Sequence, residues 1–203
     1  MVKPRPQITT HDQSARERLL KAGIELFARN GYAATSVREI VAKSGVTKPV
    51  LYYYFGSKEG LYKAIIEEAL IKHQTLLNEI LSRSGSALDR LFFLFEQVLR
   101  EVRENRELVQ MIHSLRFGPP QGAPQVELKQ FGDRMIETIK TIYLDGLAQK
   151  SVVEFDPDTV ASTILAMIDH AVCLDFGPPE LAGLKRPMKM LDFLSRALQR
   201  KDN

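Results

Sequence analysis

Lys48, the consecutive tyrosines Tyr52, Tyr53 and Tyr54, and Lys58 stand close together in the stretch TSVREIVAKSGVTKPVLYYYFGSK, which begins at Thr35. Ammonium and phenol groups suit one chemistry above others: hydrogen bonds to phosphate oxygens and to the edges of bases. Lys48 can donate to guanine O6 or N7, and Pro49 and Val50 can touch thymine methyl groups. Thr47 stands with these three at the N-terminal part of a short helix, the part that reaches base edges when such a helix enters the major groove. Thr35 and Ser36 open a preceding helix, where a phosphate is expected.

The elements that must hold these groups are legible around them. Ser36 followed by Glu39 is a capping-box pattern, and Val37, Ile40 and Val41 give an apolar face at helical spacing. Gly45 stands where the chain must reverse, at little cost for a residue without Cβ. Thr47 can cap the next helix, and Pro49 falls in its first turn, where no intrahelical bond is lost. The spacing predicts two short helices joined by a tight turn, the plan of a helix-turn-helix. The bland alternative is an ordinary helical hairpin with a tyrosine-rich rim.

The segments AGIELFARNGYAATSVREI (from Ala22) and LYYYFGSKEGLY (from Leu51) flank the turn. With it, they make the chain resemble the TetR family of bacterial transcriptional regulators, from about Ala15 to Ala69. The resemblance implies an all-α fold with an N-terminal three-helix DNA-binding domain (residues 1–63) and a helical ligand-binding and dimerisation domain (residues 64–203). It implies double-stranded DNA with a palindromic operator as partner, and a homodimer as the binding species. A small hydrophobic ligand would release a repressor from its operator. It also implies that Arg38 reaches a base and that Tyr52 and Tyr53 contact backbone or bases. Tyr54 and Lys58 would be phosphate partners. Tyr54 packing against Phe27, and Lys58 as a solvated first-turn residue, are the plainer readings.

Composition agrees with a split chain. Of 203 residues, 44% are hydrophobic, enough for a sizeable core. Through residue 63 there are 11 Lys/Arg against 5 Asp/Glu, whereas the remainder has 17 against 20. Clustered positive charge releases counterions from phosphate backbones, so the basic third is where nucleic acid should sit. No apolar run is expected to span a membrane, and no secretory leader is evident. The single cysteine, Cys173, fits a reducing cytoplasm.

The rest of the chain reads as helix after helix, about nine in all, without a strand. A proline-containing arm at 1–13, with Lys3 and Arg5, precedes a helix over 14–30 whose Leu20, Ile24 and Phe27 share a face; Leu51, Phe55 and Leu61 are the matching side. Ser57 caps a helix to Ser82, roughly 38 Å at 1.5 Å per residue, long enough to join two domains. Helices follow at 87–104, 106–116 and 126–150. Asp156 and Pro157 then open a helix to Phe176, and the last begins near Pro187. Breaks fall at Gly118-Pro-Pro and Gly177-Pro-Pro.

No phosphate-cradling loop and no Ser/His/Asp or Cys/His set marks this part, so no catalytic residue, metal or cofactor is expected. Asp169, His170 and Cys173 read better as helix-interface residues than as metal ligands. An apolar chamber for the ligand would be lined by Phe92, Phe95, Met111, Leu115, Phe117, Met135, Ile139, Tyr143, Met167 and His170, with plain core as the rival. For the dimer, Val160, Ile164, Ile168, Val172, Leu191, Leu194 and Leu198 are the candidates, again with core packing as the rival. Two further readings stay open: a DNA-binding regulator without a ligand, and an enzyme domain tethered to DNA.

Overall fold

The computed structural model describes residues 10–118, 122–176 and 185–199. Among them are nine helices: α1 (Thr10–Ala34), α2 (Val37–Ser44), α3 (Lys48–Phe55), α4 (Lys58–Ser82), α5 (Ala87–Glu104), α6 (Arg106–Phe117), α7 (Lys129–Ala148), α8 (Pro157–Phe176) and α9 (Lys185–Leu198). No strand forms among these residues; one isolated antiparallel bridge pairs Val152 with Gln199. Lys3, Arg5 and the proline pairs after Gly118 and Gly177 fall wholly or partly outside the described residues.

The expected boundaries need small corrections. Helix α1 starts at Thr10, so the last residues of the expected arm belong to a helix. Gly31 leaves helical geometry at φ 78°, ψ 166°, and the chain kinks there, where a stop was expected. Helix α7 begins at Lys129 rather than near Val126, with Leu128 at its N-cap and no side-chain cap bond there. The caps themselves follow the sequence. Ser57 Oγ accepts from Gly60 N at 2.9 Å, and Asp156 Oδ2 accepts from Thr159 N at 2.8 Å. Ser86 and Asp89 form a second capping box, at the start of α5.

Two compact units result: Met1–Ala69 with Glu107–Val126, and Leu70–Arg106 with Glu127–Asn203. In the first, Leu19, Ala22, Leu26 and Phe27 of α1 are buried, as are Ile40 of α2, Leu51 of α3 and Leu61, Tyr62, Ile65 and Ile66 of α4. The expected Leu20, Phe27, Leu51 and Leu61 are among the buried residues, whereas Ile24 and Phe55 are partly exposed. Leu108 and Met111 are buried residues of α6.

In the second unit the later part of α4 joins α5, α7, α8 and α9 around one apolar core. A buried guanidinium ties it. Arg90 of α5 donates to the carbonyls of Ile80 (3.4 Å) and Leu81 (3.0 Å) at the end of α4, and to Asp145 Oδ2 of α7 at 2.7 Å. A helix C-terminus leaves its last carbonyls without intrahelical donors, so Arg90 closes α4 as well as pairing a charge. By length and composition α8 could cross a membrane, contrary to the expectation from the sequence. Its Val160, Ala161, Ile164, Ile168, Ala171 and Val172 are buried in the protein, and five of them belong to the core of the second unit.

Candidate nucleic-acid interface

The turn between α2 and α3 is built as its residues require. Ser36 caps α2 in a full capping box: its N–H and hydroxyl both donate to Glu39 Oε2 at 2.7 Å, and Glu39 N donates back to Ser36 Oγ at 3.2 Å. These hydrogen bonds, the Ser36 hydroxyl first, hold the Glu39 carboxyl below its ordinary range. Gly45 ends α2 in the left-handed region at φ 64°, ψ 31°. The backbone of Thr47 then starts α3, its carbonyl accepting from Val50 N and Leu51 N, while its side chain makes no cap hydrogen bond.

Leu51 is fully buried and anchors α3. The opposite side of the helix is open. Thr47, Lys48 and Pro49 are exposed and Val50 is partly so. Tyr52 and Tyr53 are 49% and 61% exposed, far more than a tyrosine with a packing role needs. Arg38 on α2 is exposed too. Tyr54 is partly buried, with its ring centroid 5.0 Å from Tyr53 and 6.2 Å from Phe55, both on α3.

Two candidates have other duties. Thr35 is 1% exposed, and its hydroxyl donates to the Gly31 carbonyl at 2.8 Å, beside that of Leu26 at 3.3 Å. It closes the kink within α1, and its buried hydroxyl is committed to these backbone carbonyls. Lys58 is neither solvated nor free to extend. Its ammonium donates to the carbonyls of Tyr32 (2.9 Å) and Thr35 (2.8 Å) and lies 4.1 Å from the Tyr32 ring centroid. Two of its three donors therefore fix the α1–α2 corner to the first turn of α4. Tyr32, which sequence reasoning passed over, is the platform; its ring also packs edge-on against the buried Tyr62 at 5.0 Å. The aromatic residue after Gly31 was the available signal.

The ligand candidates fall in two groups. Met111, Leu115 and Phe117 belong to the first unit, with Met111 buried and Phe117 exposed. In the second unit Phe95, Met135, Ile139 and Tyr143 are core residues, Phe92 and Met167 pack against that core, and His170 is exposed. The Tyr143 hydroxyl donates to Val153 O at 2.7 Å and accepts from Phe155 N at 2.8 Å, so it holds the α7–α8 connection. Of the dimer candidates, Val160, Ile164, Ile168, Leu191 and Leu198 lie in the core of their own chain, with Leu194 packed against it, and Val172 is buried as well. They pack within their own chain, and a side chain already enclosed has little surface left for a partner. Among the described residues no group of three His, Cys, Asp or Glu is placed to hold a metal.

A capped helix that presents Arg38, a tight turn at Gly45, and a short second helix that buries Leu51 and presents Lys48, Tyr52 and Tyr53 define a helix-turn-helix DNA-binding protein. Residues 19–65 match the family described as bacterial regulatory proteins, tetR family. The HTH-type transcriptional regulator YdgC of Bacillus subtilis, itself uncharacterized, is 29% identical over 77% of this chain and 78% of its own length. The transcriptional repressor NemR of Escherichia coli is 32% identical over 46% of each chain. The solved structure of the TetR family protein CprB from S. coelicolor A3(2) matches with a TM-score of 0.70 and 27% identity, over 94% of this chain and 91% of that one. Residues 19–65 thus match the DNA-binding part of the TetR family, and over most of its length the chain is similar to transcriptional regulators of that kind.

Proposed function

We propose that this regulator is a repressor that binds a palindromic operator as a homodimer and leaves it when a small molecule occupies the helical body. The observation that carries the DNA half is the open face of α3, where Lys48, Tyr52 and Tyr53 stand exposed while Leu51 is locked in the core. Arg38 reads a base from α2, Ser36 and Tyr54 lie along the phosphates, and Thr47, Pro49 and Val50 complete the contact. The DNA-binding domain is taken as residues 1–63, and residues 64–203 as the part that dimerises and senses.

Support for an effector comes from similar proteins, among them a gamma-butyrolactone receptor and the transcriptional repressor NemR. Helix α4 runs unbroken from Lys58 to Ser82, beginning in one compact unit and ending in the other. A displacement of its far end is thereby delivered to Lys58 and the α1–α2 corner. Dimerisation falls to the outer faces of α8 and α9, where Phe193 is 75% exposed. A cytoplasmic protein without enzymatic activity fits this reading.

Selection of the purified protein against a random duplex pool, followed by titration of the recovered sequence at several salt concentrations, tests the proposal. A two-fold-symmetric site bound with strong salt dependence is expected. Equal affinity for the selected and a scrambled duplex would end it.

A further inference from the structure

The face that α3 turns outward is apolar at its tip. Leu51 is fully buried, so the side chains two residues before and after it, about 200° round the helix, point most nearly away from the core. These are Pro49 and Tyr53, one turn apart on a common line. Pro49 is exposed, Tyr53 is 61% exposed, and Val50 beside Pro49 is partly exposed.

Hydrogen-bonding capacity around that tip is small. The Thr47 carbonyl already accepts from Val50 N at 3.1 Å and Leu51 N at 3.3 Å, and Pro49 has no N–H. Of the first three residues of α3, Lys48 alone keeps a backbone donor to offer. The neighbouring polar groups are committed: Ser36 and Glu39 bond to each other, and the Lys43 ammonium lies 2.6 Å from Glu25 Oε2. Neither α2 nor α3 contains Asn or Gln, the side chains that read adenine by paired hydrogen bonds. Arg38, their one guanidinium, belongs to α2. Lys48 brings a flexible ammonium that guanine O6 or N7, thymine O4 and phosphate oxygens accept alike. Paired hydrogen bonds are therefore not the means by which α3 tells bases apart.

We infer that α3 selects its bases by the 5-methyl group of thymine, which Pro49 and Val50 cover in the major groove. That methyl is the apolar group a base edge presents there, and an apolar tip withdraws it from water without stranding a polar atom. The hydrogen-bonding edge of the base is then secondary. Uracil lacks the recognised group, and 5-methylcytosine carries it on a different pairing edge. This rests on the proposed operator reading and adds which chemical group of the operator α3 recognises.

The test titrates the full chain against its selected operator, with single thymines of one half-site replaced by uracil. At one or two of them the replacement should weaken binding about fourfold, the worth of one buried methyl-sized group. A cytosine–guanine pair at the same place should bind less well than thymine–adenine, and 5-methylcytosine should recover about fourfold of that loss. Lys48→Ala should weaken the thymine and uracil duplexes alike and keep their ratio. Pro49→Ala with Val50→Ala should bring the two duplexes within about twofold of each other. The base replacements leave the protein untouched, and Pro49→Ala alone serves should the double variant melt early. An operator without a conserved thymine, uracil tolerated at every position, no gain from 5-methylcytosine, or a ratio that survives the loss of Pro49 and Val50 overturns the inference. Selective binding that tolerates uracil leaves the operator reading standing, whereas the absence of any selective binding ends both.

Discussion

The ammonium of Lys58 lies 2.8 Å from the carbonyl oxygen of Thr35, and the Thr35 hydroxyl lies 2.8 Å from the carbonyl of Gly31. The two residues thus form a relay from the first turn of the long helix to the kink at Gly31 within α1. Lys58 is a positioning residue in this arrangement. Lys58→Met should weaken operator binding about tenfold, because the α1–α2 corner and Ser36 behind it lose their anchor. The salt dependence should hardly change, whereas loss of a phosphate contact lowers the slope by about one. Salt titrations of wild type and variant, with Tyr32→Leu as partner in a double-mutant cycle, check this. A slope reduced by a full unit, with additive effects of the two substitutions, would return Lys58 to the phosphates.

Exposure makes a separate forecast for α3. Lys48→Ala and Tyr53→Ala remove side chains that are mostly in solvent, so the melting temperature should move little. Operator affinity should fall by about 1–3 kcal/mol for a group reading a base. Gel-shift titration beside a thermal melt separates the two quantities. Unchanged affinity in both variants would remove α3 as the reading helix.

The order and limits of the helices were open to sequence reasoning because their caps are local. Ser36, Ser57, Asp156 and Gly45 each do where they stand what their residue type suggests. What a residue meets across the fold was not legible. Thr35, Lys58 and Tyr143 carry polar atoms that a sequence offers to any partner, and all three are spent on backbone groups near a chain reversal. Apolar periodicity likewise marks a buried face without saying what buries it, which is why Ile164, Ile168 and Leu191 suited a dimer as well as a core. The fold covers them with its own helices.

Arg90 and Asp145 illustrate unequal partners. The Arg90 side chain is 8% exposed and Asp145 46%. Arg90→Ala should cost about 3 kcal/mol, since the carbonyls of Ile80 and Leu81 lose their donor together with the ion pair. Asp145→Asn should cost about 1 kcal/mol, because water and the remaining amide oxygen can replace a carboxylate that is nearly half in solvent. Urea unfolding of both variants gives the comparison, and equal losses would show that the ion pair, not the closure of α4, carries the stability.

Alkaline pH probes the aromatic cluster under the DNA-binding helices. Tyr62 is 2% exposed, with the Phe27 ring edge-on at 5.2 Å and the Tyr32 ring at 5.0 Å. Burial first, then the neighbouring Tyr32 phenol, pushes the Tyr62 hydroxyl from its ordinary 10.0 to about 12. The folded state therefore holds this proton after the unfolded chain has released it. Stability is fully present below pH 10 and falls as the pH rises from there through about 12, by about 2–3 kcal/mol in all. Tyr62→Phe has no proton to lose and should flatten the alkaline limb while leaving the neutral plateau nearly in place. Chemical unfolding at stepped pH, read beside tyrosinate absorbance, measures both. A limb of unchanged depth in Tyr62→Phe would assign the alkaline loss to other groups.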